Sequence, residues 1–218
     1  MATGTDMRTD ELINSLTQNL QPTPKDMIAR LLNWAALVGL AIAVLIIVLV
    51  GVRKDLNAAL FSWPFWMKWT YTISMALTAY LLCERLARPG MKLGWLAILP
   101  LLPAALLAFM AVRTQLHLPS DARMATWMGH SATLCPIYIG ALSIPVFAVL
   151  CRTLRRAAPT DLRTAACAAG LMSGAIAAFA YCLLCNESSV SFVATWYTLG
   201  MSMPALLGAV FGNTLLRW

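Results

Sequence analysis

Residues 181–189 read Tyr-Cys-Leu-Leu-Cys-Asn-Glu-Ser-Ser, two thiols three positions apart and a carboxylate just beyond them, where an apolar run turns polar. Thiols in that setting can exchange disulfides, ligate a soft metal, or simply pack as small hydrophobes. On a helix Cys182 and Cys185 would share a face. Cys135, His130 and Glu187 are the other residues able to join them, and the chain also holds Cys83, Cys151, Cys167 and His117. Which of these can meet depends on the elements that carry them.

Those elements are membrane helices. Of 218 residues, 60% are hydrophobic and 11% charged, against about 25% charged in an ordinary soluble domain. The charges fall in short bands between uncharged runs of about 20 residues, the length that crosses roughly 30 Å of hydrocarbon. The expected fold is an all-α integral membrane protein with six transmembrane helices, near 31–52, 65–83, 93–112, 126–151, 165–184 and 190–216. Pro100 and Pro103 are expected to bend the third. Lys68 is expected to snorkel from the start of the second to the headgroups. The fifth, rich in Ala, Gly and Ser, suits the centre of a bundle because small residues let helices approach closely.

Basic residues set the direction. Arg8, Lys25, Arg30, Arg85, Arg88, Lys92, Arg152, Arg155, Arg156, Arg163 and Arg217 would share one face; Arg53, Lys54, Lys68, Arg113 and Arg123 the other. The richer face belongs to the cytoplasm by the positive-inside rule. A multi-pass protein of the bacterial inner (cytoplasmic) membrane is therefore expected, with both termini in the cytoplasm. The first apolar run is too long for a signal peptide and ends in Arg53-Lys54 without a cleavage motif. The net charge of +7 follows from the same rule, and the scattered basic residues argue against direct binding of nucleic acid.

Residues 1–30 form the cytoplasmic segment, ahead of the membrane domain at 31–218. Thr9 can cap a short helix with Asp10 and Glu11 in its first turn. Leu12, Ile13, Leu16 and Leu20 recur on one face of it. Its polar face is acidic to neutral, whereas a helix lying on lipid usually carries Lys and Arg. That balance favours docking in the groove of a soluble protein over resting on the bilayer.

No enzyme motif appears, neither P-loop, HExxH nor GxSxG, and an intramembrane proton path would need ionisable residues at the span centres. The expectation is a non-enzymatic protein without a resident cofactor. Cys83, Cys151 and Cys167 fall towards the reducing cytoplasm and read as packing. Cys135, Cys182 and Cys185 fall on the outer side, where disulfides persist. A membrane thiol–quinone oxidoreductase and a structural or assembly protein stay open as alternatives, as does a transient soft-metal site drawn from Cys135, Cys182, Cys185, Glu187 and His130.

The sequence also resembles, over nearly its whole length, the NrsF-like family of six-span membrane anti-sigma factors. The matching pieces are Thr9-Asp-Glu-Leu-Ile13, Arg53-Lys-Asp-Leu56, Ala87-Arg-Pro-Gly90, Cys135 with Ile144-Pro145, and Arg155-Arg-Ala-Ala-Pro-Thr160. Cys185-Asn-Glu187, Phe192, Trp196-Tyr197 and Leu215-Leu-Arg-Trp218 complete the series. The resemblance implies that the N-terminal segment holds a cytoplasmic extracytoplasmic-function sigma factor away from RNA polymerase. It implies too that Cys135 and Cys185 sense an oxidant or thiophilic metal and bring about release. Leu184 stands where the family usually has histidine, which moves weight from metal ligation to thiol chemistry.

Overall fold

The computed structural model describes residues 27–88, 90–91 and 93–217. The N-terminal helix expected around Leu12, Ile13, Leu16 and Leu20 lies outside them. Every regular element among the described residues is helical. They are α1 (Met27–Val50), α2 (Leu56–Leu60), α3 (Trp63–Leu86), α4 (Leu101–His117) and α5 (Ser120–Met128), then α6 (Leu134–Ala157), α7 (Leu162–Tyr181), α8 (Val190–Phe192) and α9 (Thr198–Leu215). A 3-10 turn, Gly94–Ile98, leads into α4, and a π-helical turn, Val193–Tyr197, joins α8 to α9.

Five segments are long and apolar enough to cross a bilayer: Met27–Val50, Gly94–His117, Leu134–Ala157, Leu162–Tyr181 and Val190–Leu215. The remaining expected span, 65–83, falls on α3. That helix has the length, 24 residues, but Lys68, three threonines and Glu84-Arg85 make it too polar to count with the others. Apolar side chains face outward along the bundle, among them Leu37, Leu45 and Leu49 on α1, Leu106 and Phe109 on α4, and Val210 and Phe211 on α9. Lipid is the solvent that such a surface suits.

Two expected spans are built differently. The segment 126–151 is not one helix: α5 stops at Met128, Gly129 turns with φ 54°, and α6 starts at Leu134 and runs on to Ala157. A side chain rarely tolerates that φ, so glycine is what permits the break. Pro100 and Pro103 do not bend a continuous third span. They open α4, Pro100 as its cap and Pro103 in its first turn, where a missing N–H costs no helical bond.

The centre of the bundle is α7, which packs on α9, α3, α6 and α1. Its small residues are the reason. A Cβ on Gly170 would lie 2.1 Å from the Pro204 carbonyl oxygen, and one on Gly208 would lie 2.1 Å from that of Ala166. The α7 and α9 backbones are thus in direct contact, and only glycine fits at the crossing points. Asp161 caps the start of α7 by accepting a hydrogen bond from the Thr164 N–H at 3.2 Å. Gly208→Val should therefore break the α7–α9 seam, costing about 3 kcal/mol or more. Gly140→Ala, which would meet only the flexible Met203 side chain at 3.6 Å, should cost under about 1 kcal/mol. Thermal unfolding of the two variants in the same detergent tests the contrast.

Candidate functional site

At one end of the bundle the chain brings together the first turn of α6, the segment after α7, the start of α3 and the π turn. Beyond Tyr181 the α7 backbone tightens into turns, with Leu183 and Leu184 N–H bonding back three residues to Ala180 and Tyr181. The helix ends in these turns, and the two thiols take different partners. Cys182 points into the core, where its S–H donates to the Ala178 carbonyl at 3.2 Å. Cys185 turns instead towards α6 and meets Cys135 side chain to side chain. Both thiols are reduced and buried, Cys135 at 0% and Cys185 at 4% exposure.

Two cations fix the segment that carries Cys185. The Lys68 ammonium, 1% exposed, donates to the carbonyls of Cys185 at 3.0 Å and Glu187 at 2.7 Å. The expectation that Lys68 snorkels to the membrane surface is thereby corrected. Two carbonyls inside the protein offer the ammonium nearer hydrogen-bond acceptors than a distant headgroup layer. Arg53 donates a third bond, from its guanidinium to the Cys185 carbonyl at 3.2 Å, and its backbone N–H bonds the Leu183 carbonyl at 3.1 Å. Asp55 holds that guanidinium at 2.6 Å.

Glu187 fastens the opposite wall. Its carboxylate accepts from the His130 backbone N–H at 2.7 Å and the Ser131 hydroxyl at 3.4 Å. Gly129 makes room, because a Cβ there would lie 2.7 Å from the same carboxylate. The Ser131 carbonyl then receives the Cys135 N–H at 2.9 Å. Glu187 thus ties the turn carrying Cys135 to the segment carrying Cys185. The His130 imidazole is fully exposed, 3.7 Å from Glu187.

The five residues expected as metal candidates do not converge. Cys135 and Cys185 meet, Cys182 lies near them with its S–H on the Ala178 carbonyl, and Glu187 is committed to the residue 130–131 turn. Among the described residues no cluster of three or more His, Cys, Asp or Glu side chains could hold a metal ion. A soft ion would have two thiols.

The electrostatics favour a thiolate at Cys185, which lies beyond the end of α7. The side-chain hydrogen bond from Cys135 is the largest influence lowering its pKa. Burial opposes it, and the Lys68 charge, the Tyr197 hydroxyl and the Glu187 backbone N–H add to the lowering. Tyr197 is wholly buried in the π turn and stands in an aromatic row with Tyr181 and Tyr138, ring centroids 5.9 and 6.1 Å apart.

Comparison with known proteins places this arrangement. The family model described as "Negative regulator of sigma F" (NrsF) matches residues 16–218. The chain belongs to the NrsF family. It is 35% identical over 216 residues to the probable anti-sigma-F factor NrsF of Azospira oryzae, covering 97% of this chain and all of that one. It is 35% identical over 219 residues to the anti-sigma-F factor NrsF of Caulobacter vibrioides, with the same coverage. No solved structure matches. Such family names denote regulators and not enzymes.

Arg53, Cys135, Cys185, Glu187 and Tyr197, scattered over 145 positions of the NrsF-like pattern, gather at this one end. Sequence reasoning missed the parts played by Lys68 and Arg53. The usable signal was a lysine inside a span-length helix, which in membranes marks a partnered and functional position. Glu187→Ala should loosen the 129–131 turn, since a charge-assisted bond to a backbone N–H is worth about 1.5–3 kcal/mol. Glu187→Gln should retain much of it. Faster amide hydrogen exchange at residues 130–135 in the alanine variant alone is the expected reading.

Proposed function

We propose that this chain is a membrane-bound anti-sigma factor of the bacterial inner membrane with both termini in the cytoplasm. Its segment 1–30, through Leu12, Ile13, Leu16 and Leu20, holds an extracytoplasmic-function sigma factor; the Cys135–Cys185 pair, on the periplasmic side, governs release. Full-length likeness to proteins named anti-sigma-F factors supports the sigma-factor half. The sensing half rests on one observation: two reduced thiols, one on α6 and one in the segment after α7, are already in side-chain contact.

Oxidation of that pair would remove two protons and two electrons and form one S–S bond without a large search for geometry. A thiophilic ion would take the same two sulfurs with loss of their protons. Either event re-forms the junction between α6 and the end of α7. Because α7 is locked backbone to backbone with α9, a displacement at its far end has little slack in which to dissipate. A swing from 1:99 to 99:1 between bound and released states takes about 5.5 kcal/mol, and a disulfide contributes about 2–4 kcal/mol. Loss of the thiolate contacts must supply the remainder.

Replacing Cys135 and Cys185 with serine, singly and together, should leave the sigma factor captured under stress, reducing target-gene induction at least about tenfold. Removing residues 1–21 should give constitutive expression while the bundle stays in the membrane. Undiminished induction in the double variant would sink the sensing role, and continued repression without residues 1–21 would sink the binding role.

A further inference from the structure

Lys68 is an unusual neighbour for a pair of neutral thiols. It is buried, its hydrogen bonds go to carbonyl oxygens, and it makes no carboxylate ion pair among the described residues. Those two carbonyls orient the ammonium but do not neutralise it. Tyr197 presents the complementary oddity. Its hydroxyl is wholly buried without a satisfied hydrogen bond, although buried tyrosine hydroxyls normally find a partner. It sits beside the sulfurs of Cys182 and Cys185. A cation lacking an anion and a donor lacking an acceptor therefore flank the same sulfur.

We propose that Lys68 and Tyr197 form a cradle that holds Cys185 as a thiolate, making it the sulfur that reacts first and leaving Cys135 to resolve it. This rests on the dithiol reading above and adds its order of events. Cys135 S–H donates to the Cys185 thiolate, Tyr197 O–H donates a second bond, and Lys68 supplies the counter-charge. The other charged or titratable groups around the sulfur are Arg53 with Asp55 from the loop after α1, Tyr181 at the end of α7, and Cys182 and Glu187 beside it in the chain. Glu187 keeps its carboxylate on residues 130–131, and Cys182 keeps its proton on Ala178. Asp55, the carboxylate that also feels the Lys68 charge, is hydrogen-bonded to the Arg53 guanidinium.

With a hydroperoxide as the two-electron oxidant, the Cys185 thiolate attacks the terminal peroxide oxygen. The O–O bond breaks, the alcohol leaves with a proton from solvent, and Cys185 becomes a sulfenic acid. Cys135 then attacks that sulfur; the S–S bond forms and the oxygen departs as water, taking up the Cys135 proton. Lys68 and Tyr197 are positioning residues, since neither changes covalently.

The test uses full-length reduced protein in lipid nanodiscs, alkylated with iodoacetamide across a pH series and read cysteine by cysteine by peptide mass spectrometry. Cys185 should reach its half-maximal rate well below the value near pH 8.5 of an ordinary cysteine, ahead of Cys135 and Cys182. Tyr197→Phe removes a hydroxyl with no other partner, so it should fold normally and raise the Cys185 midpoint by about one pH unit, the worth of one hydrogen bond to a charge. Lys68→Met should raise it at least as far and Lys68→Arg should restore it; a purely structural clamp would not move the midpoint. After hydroperoxide, a sulfenic-acid probe should label Cys185 in Cys135→Ser but not Cys135 in Cys185→Ser. An ordinary wild-type midpoint, an unshifted one in Tyr197→Phe, or equal labelling of the two serine variants overturns the cradle. Each result leaves the sigma-release reading to be judged separately by its own gene-expression test.

Discussion

A buried ammonium needs oxygen atoms around it, and at this end of the bundle the geometry follows from where Lys68 finds them. Its partners, the carbonyls of Cys185 and Glu187, lie well over a hundred residues away in the chain. They are available only because the backbone after Tyr181 leaves α-helical pitch and turns its carbonyls inward. Leaving that charge unpaired in a low-dielectric interior would cost several kcal/mol. The segment 182–187 therefore cannot relax into a longer α7 without stranding Lys68. The same segment carries Cys185 to its place against Cys135.

Much of the fold could be read in advance because membrane helices answer to simple physics. Length, apolar composition and small-residue content identified α1, α7 and α9 close to their observed positions, and the Ala- and Gly-rich α7 is indeed the central helix. What composition could not convey was where a helix is interrupted. The expected span was carried back through residues 126–133, yet the chain breaks at Gly129, where a Cβ would meet Glu187 from far along the chain. Hydropathy has no term for a carboxylate arriving from another helix.

The candidate site was legible in its thiols and not in its scaffold. Cys135 and Cys185 were singled out by sidedness and by resemblance, but i,i+3 spacing equally allowed a Cys182–Cys185 pair. The structure sets Cys185 against Cys135, and spacing along one segment carries no information about a partner on another helix. Lys68 was noticed and assigned to the lipid interface, the ordinary resting place of a lysine near a helix start. That rule fails when a nearer set of oxygens exists, and the oxygens came from a segment whose conformation was itself unknown.

On the proposed reading, the resting charge balance also explains how a local reaction could alter a whole bundle. Before oxidation the sulfur of Cys185 carries a negative charge facing Lys68, with Arg53 on the same carbonyl. A disulfide is neutral. Closing the bond therefore adds a covalent link between α6 and the end of α7 while deleting the anion that balanced the ammonium and accepted the Tyr197 hydrogen bond. The link draws the two segments together as the lost charge weakens the hold of α3 on the segment after α7. A disulfide placed between neutral partners would only rigidify. One that also removes a buried charge changes which arrangement of α3, α6 and α7 is lowest in free energy, and that is the requirement for a two-state switch.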